Sequence, residues 1–204
     1  MSQADCSRFA TFCGRTWMKV FGWTVAGHRP DTDKIVIIAA PHTSNWDVFF
    51  LLAAAFCFRV RINFLIKDAW FFPVMGSVLR FFGGIPVDRS RSNNLVDDLA
   101  TRITDAPYFA LVVPPAGTRK YTEYWKSGFY HIAAAAQIPL VSGYLDYAKK
   151  EAGLGLSFVP TGDVSADMDR LREFYGPITG RYPEKKSRIR LRQEDEDASS
   201  RAAS

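Results

Sequence analysis

A β-branched run, Lys34-Ile35-Val36-Ile37-Ile38-Ala39-Ala40, is followed seven residues later by an almost wholly apolar stretch over residues 48–58. The first suits a strand covered on both faces, and the second, at eleven residues, suits a helix. The alternation continues. Strand patterns fall over 62–66, 108–113, 139–145 and 154–159, and helical patterns near 71–81, 93–104, 127–136 and 166–175. Strand-like and helix-like runs in turn predict an α/β fold: a single domain with a largely parallel or mixed sheet covered by helices. At 204 residues and 48% hydrophobic content, the chain supports one substantial core. The division expected is an amphipathic segment over 1–33, a globular domain over 34–183 and a charged, disordered tail over 184–204. In that tail Lys185 to Arg192 is basic, Glu194 to Asp197 is acidic, and the end is rich in Ser and Ala.

Residues 1–30 lack the compact apolar region and cleavage site of a secretory signal. Arg8, Arg15 and Lys19 are instead interspersed with Phe9, Phe12, Trp17, Met18, Val20, Phe21 and Trp23. A basic, aromatic-rich segment of this kind suits the interface of a bilayer. It equally suits a helix packed on the domain's own core, because the apolar residues do not keep to one face. The run over 48–58 falls far short of the ~20 residues needed to cross hydrocarbon, so peripheral contact is the expectation.

A net charge of +5 and a pI near 9.2 favour anionic partners, among them acidic lipids, phosphorylated metabolites and nucleic acid. Nucleic acid is disfavoured, since the basic residues away from the tail are dispersed and no recognition motif occurs. Cys6, Cys13 and Cys57 are odd in number and lack a paired ligand spacing. Neither a disulfide framework nor a metal site is indicated, and a reducing, cytoplasmic setting is expected.

Chemistry concentrates between the first strand and the helix after it, in Pro41-His42-Thr43-Ser44-Asn45-Trp46-Asp47. Alone, a histidine five residues before an aspartate arises by chance in about one such chain in five. On an ideal helix the two would diverge by about 140°, so they meet only if His42 precedes the helix. A cap at Ser44 would place His42 on the turn and Asp47 in the first helical turn. Asp47 is then either the acidic partner of a capping box, with His42 a hydrogen-bonded loop residue, or the orienter of a general base. In the second case the carboxylate fixes the imidazole tautomer and stabilises the imidazolium that forms.

Two further segments carry polar groups at the ends of apolar runs. In Phe82-Gly83-Gly84-Ile85-Pro86-Val87-Asp88-Arg89 the arginine offers a planar donor fork for phosphate. The alternative is a Gly-Gly helix stop followed by a short strand, with Arg89 paired to a carboxylate. Val113-Pro114-Pro115-Ala116-Gly117-Thr118-Arg119-Lys120 ends a buried-type strand in a turn bearing a hydroxyl and two cations. It is either an anion cradle or an ordinary Pro/Gly turn with solvated charges.

Taken jointly, these segments resemble the glycerolipid acyltransferase superfamily, typified by 1-acyl-glycerol-3-phosphate (lysophosphatidic acid) acyltransferases. The family's H-x4-D block is matched by His42 and Asp47, its second block by Gly84, Ile85, Val87, Asp88 and Arg89, and its P-E-G-T-R block by Pro115, Gly117, Thr118 and Arg119. A fourth, Ile138-Pro139-Leu140-Val141, completes a match over roughly residues 34–162, in family order. The chain is similar to a compact branch in which Trp125-Lys126-Ser127-Gly128-Phe129-Tyr130-His131 follows the third block. The resemblance implies a glycerolphosphate-acyltransferase-like fold. It implies transfer of a fatty acyl group from an acyl-CoA or acyl-carrier-protein thioester to a lysophospholipid or glycerol phosphate, without a cofactor or metal. His42 would act as base and Asp47 as its orienter, with Arg89, Arg119, Thr118 and Gly117 binding the acceptor. A membrane surface is the implied partner and the inner face of the cell membrane the implied location. One departure stands out: Ala116 occupies the place of the family's glutamate, which implies either shifted specificity or an impaired, lipid-binding member. His131 is expected to be a helix residue near the core, with a secondary role in the site as the alternative.

Overall fold

The computed structural model describes residues 6–87 and 95–196. Its strands are β1 (Thr24–Ala26), β2 (Lys34–Ala39), β3 (Ile62–Lys67), β4 (Gly84–Val87), β5 (Phe109–Val113), β6 (Leu140–Asp146) and β7 (Glu151–Phe158). They form one sheet in the order β1-β7-β6-β2-β5-β3-β4. β2 to β6 run parallel to one another, while β7 pairs antiparallel with β6 and β1 parallel with β7. The helices are α1 (Arg8–Val20), α2 (Trp46–Cys57), α3 (Pro73–Phe81), α4 (Leu95–Asp105), α5 (Gly128–Ala136) and α6 (Val164–Tyr175). Single 3₁₀ turns occur at Asp68–Trp70 and Pro183–Lys185. β1 had no sequence signal of its own, and β7 begins before the apolar run at 154–159. The Gly83-Gly84 pair does end a helix and start a short strand.

β2 lies at the centre, and its alternating side chains enter different cores, as a pleated strand buried on both faces requires. Val36 and Ile38 pack with Leu111, Leu140 and the buried sides of α4, α5 and α6. Ile35 and Ile37 pack with Ala110, Val112 and the α2 residues Leu51, Leu52 and Ala55. Right-handed crossovers account for this division: β2-α2-β3 and β3-α3-β4 step one way along the sheet, and β4-α4-β5 and β5-α5-β6 step back. α3 therefore shares the α2 face. Its Leu79 carbonyl lies 2.8 Å from where a Cβ on Gly84 would stand, beside Ile66.

α1 lies against α2 so closely that a Cβ on Gly14 would stand 2.6 Å from the Ala53 carbonyl oxygen. Met18 and Trp23 are buried there with Phe50, Ala53 and Leu145. One face of α1 thus packs on the core while Phe9, Phe12 and Val20 point into solvent. No helix among the described residues is long and apolar enough to cross a membrane.

The C-terminal part of the chain departs from the sequence expectation. Residues 184–196, expected to belong to a disordered tail, pack against the domain. Leu191 is fully buried and forms a bridge with Trp125. Glu194 accepts hydrogen bonds from Arg172 Nη1 at 2.8 Å and from the Leu191 backbone at 2.7 Å. The Lys186 ammonium donates to the carbonyls of Tyr175, Gly176 and Ile178. Charges that read as solvating are consumed by specific partners, and one leucine supplies the apolar anchor. Residues 197–204 lie outside the described residues.

Candidate active site

β2 ends at the carboxyl edge of the sheet, where open α/β sheets place their ligands. The chain then turns through Pro41 to Asn45 before α2 begins at Trp46. Ser44 does not cap the helix with its side chain in the usual way; its hydroxyl accepts from the Trp46 backbone at 3.2 Å. The Asp47 carboxylate instead reaches back, and its Oδ2 accepts from the backbone N–H of Thr43 and Ser44 at 2.8 and 2.9 Å. The same oxygen lies 3.0 Å from His42 Nδ1. Capping and pairing with histidine, which read as alternatives in the sequence, are two tasks of one carboxylate.

The second oxygen of Asp47 accepts from the Tyr147 hydroxyl at 2.7 Å. Burial alone would push the Asp47 carboxyl up. The hydrogen bonds from His42, Tyr147 and the Ser44 backbone outweigh it and hold the group below its ordinary value of 3.8. An ionised carboxylate only accepts, so Nδ1 is the donor in this contact, and in the neutral imidazole the lone pair lies on Nε2. Tyr147 in turn is pushed well up, by burial and by the Asp47 charge, so its hydroxyl stays protonated and donating. The Arg181 guanidinium lies 5.6 Å from the Trp46 ring centre and 5.9 Å from that of Tyr147. Thr43 holds this segment in place by accepting from the Tyr182 backbone at 3.2 Å.

His42 and Asp47 line a cavity of about 890 Å³. Its walls are mainly aliphatic and aromatic. Ile37, Leu51, Leu52 and Phe58 come from one side of the sheet, and Val96, Phe129 and Ile132 from the other. Polar groups enter at Lys126, Ser127, Arg192 and Gln193. A chamber of this kind offers apolar contact over most of its wall and polar contact at a few points.

Not every sequence candidate reaches it. Gly117 lines the cavity with φ +65°, and a Cβ there would stand 2.9 Å from Lys126 Cε, so glycine permits both the turn and the close passage of that lysine. Its backbone N–H is already given to the Pro114 carbonyl at 3.0 Å, which removes it as an anion donor. The Thr118 hydroxyl accepts from the Lys120 backbone at 3.3 Å, and Arg119 is exposed and outside the cavity wall. Arg89, with Asp88, lies outside the described residues. Ala116 is buried beside Trp125, and with Pro41, His42, Tyr175 and Lys186 it borders a second cavity of about 20 Å³, room for about one water. His131 is half-buried on α5, with Nε2 3.0 Å from the Gln193 amide.

Tyr147, Arg181, Arg192 and Gln193 were not singled out from sequence. Tyr147 lies 100 residues from Asp47 and follows a strand end without any motif. Only its position after β6, whose carboxyl end lies beside that of β2, could have pointed to it.

The acyltransferase family model matches residues 24–145, more than half of the chain. No curated protein shows significant sequence similarity to it. Among solved structures, the fold is similar to that of the 1-acyl-sn-glycerophosphate (LPA) acyltransferase PlsC from Thermotoga maritima. That match has a TM-score of 0.54 and 16% identity, and covers 83% of this chain and 74% of that one.

Proposed function

The chain belongs to the acyltransferase family, and on that premise we propose that it moves a fatty acyl group from an acyl-CoA or acyl-carrier-protein thioester to a hydroxyl of a lysophospholipid or glycerol phosphate. The observation that carries this reading is the His42–Asp47 contact of 3.0 Å at the wall of an apolar cavity of about 890 Å³. His42 Nε2 takes the acceptor's hydroxyl proton as the oxygen attacks the thioester carbonyl. The tetrahedral intermediate collapses with cleavage of the C–S bond, and the leaving thiolate recovers the proton from the imidazolium. Asp47 keeps Nδ1 protonated and stabilises the cation while it lasts. The acceptor oxygen attacks directly, so no acyl-enzyme is required.

The acceptor's phosphate falls to Arg89 and Arg119, as the family pattern has it, with Thr118 beside them. Lys126, laid across Gly117, adds a cation to the wall of the cavity that the dyad also lines. The acyl chain occupies the aliphatic part of the cavity. The protein acts at a membrane surface on the cytoplasmic side.

Replacing His42 by Ala tests the base assignment, with labelled acyl-CoA and lysophosphatidic acid as substrates. The expected loss in kcat/KM is about 10²–10⁴-fold, and undiminished transfer would sink the assignment. Ala116 supports a second reading, a lipid-binding member with impaired turnover. Ala116→Glu would place a carboxylate beside His42 and Lys186, and is expected to raise kcat/KM without a comparable gain in stability. Binding of lysophospholipid with turnover no greater than that of His42→Ala, before and after this change, would favour the binding protein.

A further inference from the structure

Beyond β3, residues 68–82 form an element for which the acyl-transfer chemistry has no use. The turn Asp68–Trp70 leads into α3, and α3 makes its packing contacts chiefly with the edge strand β4. Trp70, Phe72, Val74, Val78, Phe81 and Phe82 are all exposed, Val74 at 77% and Phe81 at 83%. None of them lines the cavity. A soluble surface rarely gathers large apolar side chains so densely without something to cover them.

The charges around the patch say what covers it. Within α3 the single charged side chain is Arg80, whose guanidinium sits 5.2 Å from the Phe71 ring centre, and Lys67 stands at the other end of the segment. Asp68 turns one carboxylate oxygen to its own neighbour's backbone, 2.8 Å from Ala69 N. Two cations stand against one carboxylate on this segment, so its net charge is positive. Anionic lipid headgroups complement them, and the aromatic and aliphatic side chains suit the headgroup-to-acyl boundary. α3 also shares its face of the sheet with α1 and α2, and α2 leaves Trp46, Val48 and Phe49 exposed there, with Trp46 and Phe49 beside Phe21 and Trp17 of the α1 region. Val48 is itself part of the cavity wall.

We propose that residues 68–82 dock into the interface of an anionic bilayer as a second foot beside α1, turning the rim of the cavity at Val48 toward the lipid. The inference rests on the lipid acyl-transfer reading for its purpose, but its test is independent of turnover. Vesicles of phosphatidylglycerol and phosphatidylethanolamine are floated with the full chain and with Val74→Asp/Phe81→Asp, whose fold is checked by circular dichroism. The double variant is expected to lose at least about tenfold in bound fraction. Turnover of a short-chain acyl-CoA with glycerol 3-phosphate should stay within about twofold of the parent, because neither residue lines the cavity. Unchanged vesicle binding overturns the proposal. So does a dimer in sedimentation that the double variant disperses while vesicle binding persists. Should the aspartates unfold the chain, Trp70→Phe decides: quenching of tryptophan fluorescence by brominated lipid must fall in this variant, and equal quenching overturns the docking of this segment. A parent protein that binds vesicles through α3 yet turns over no thioester keeps this inference and removes the acyltransferase reading.

Discussion

On one face of the sheet α4, α5 and α6 expose no large apolar side chain, and Leu99, Ile103, Phe129 and Leu171 beneath them are at most 1% exposed. On the other face α1, α2 and α3 leave Phe9, Phe12, Trp46, Phe49, Val74 and Phe81 in solvent, and Val48, Leu51 and Leu52 of α2 border the cavity. The same strands support both, since successive residues of β2 and β5 feed the two faces in turn. The difference lies in what completes each layer. The first is closed by the chain's own helices and carries stability; the second leaves large apolar side chains uncovered.

The largest effect expected from this contrast is on the closed face. Leu171→Ala removes a fully buried side chain of α6 and should cost about 2–5 kcal/mol in urea unfolding, with turnover per folded molecule retained. A cost below about 1 kcal/mol would mean that this face is not the stabilising one. Tyr147→Phe, at the site, is expected to cost about 1–3 kcal/mol, because it takes one donor from a buried carboxylate. Its pH dependence carries the sign. Asp47 titrates below 3.8 in the folded protein, so its contribution is present above that value and disappears as the pH falls through the lowered one. With one donor gone the depression shrinks, and acid unfolding should begin at higher pH than in the parent. An unchanged acid limb would show that Tyr147 does not support the carboxylate. The smallest effect belongs to the open face: Phe12→Ser should stay within about 0.5 kcal/mol in the same unfolding assay, while lowering vesicle binding. A large stability loss there would place α1's outer face in a core.

Hydrophobic patterning located β2, β3, β5, β6 and five of the helices because each is a local event of strand or helix period. It gave no notice of β1, three residues whose register depends on pairing with Glu151 to Gly153. Nor does a local pattern reveal that β7 returns antiparallel. The meeting of His42 and Asp47 was legible for the same reason, as it needs only five residues and a helix start. Tyr147 and Arg181 were not, since their places at the dyad depend on how β6 and the chain after α6 return to the carboxyl edge of β2. Residues 184–196 misled through composition. Arg172 with Glu194 and Arg190 with Asp195 are pairs formed across space, and a list of charges does not distinguish partners from solvated groups.

The strap from Arg190 to Gln193 brings Arg192 and Gln193 to the wall of the cavity, and it is synthesised long after the dyad. At about 5–20 residues per second, the segment holding His42 and Asp47 waits several seconds for Tyr147, Arg181 and Arg192 to arrive. During that interval the aliphatic lining is open to solvent. A nascent chain of this design therefore has reason to be sheltered by a chaperone until that strap arrives.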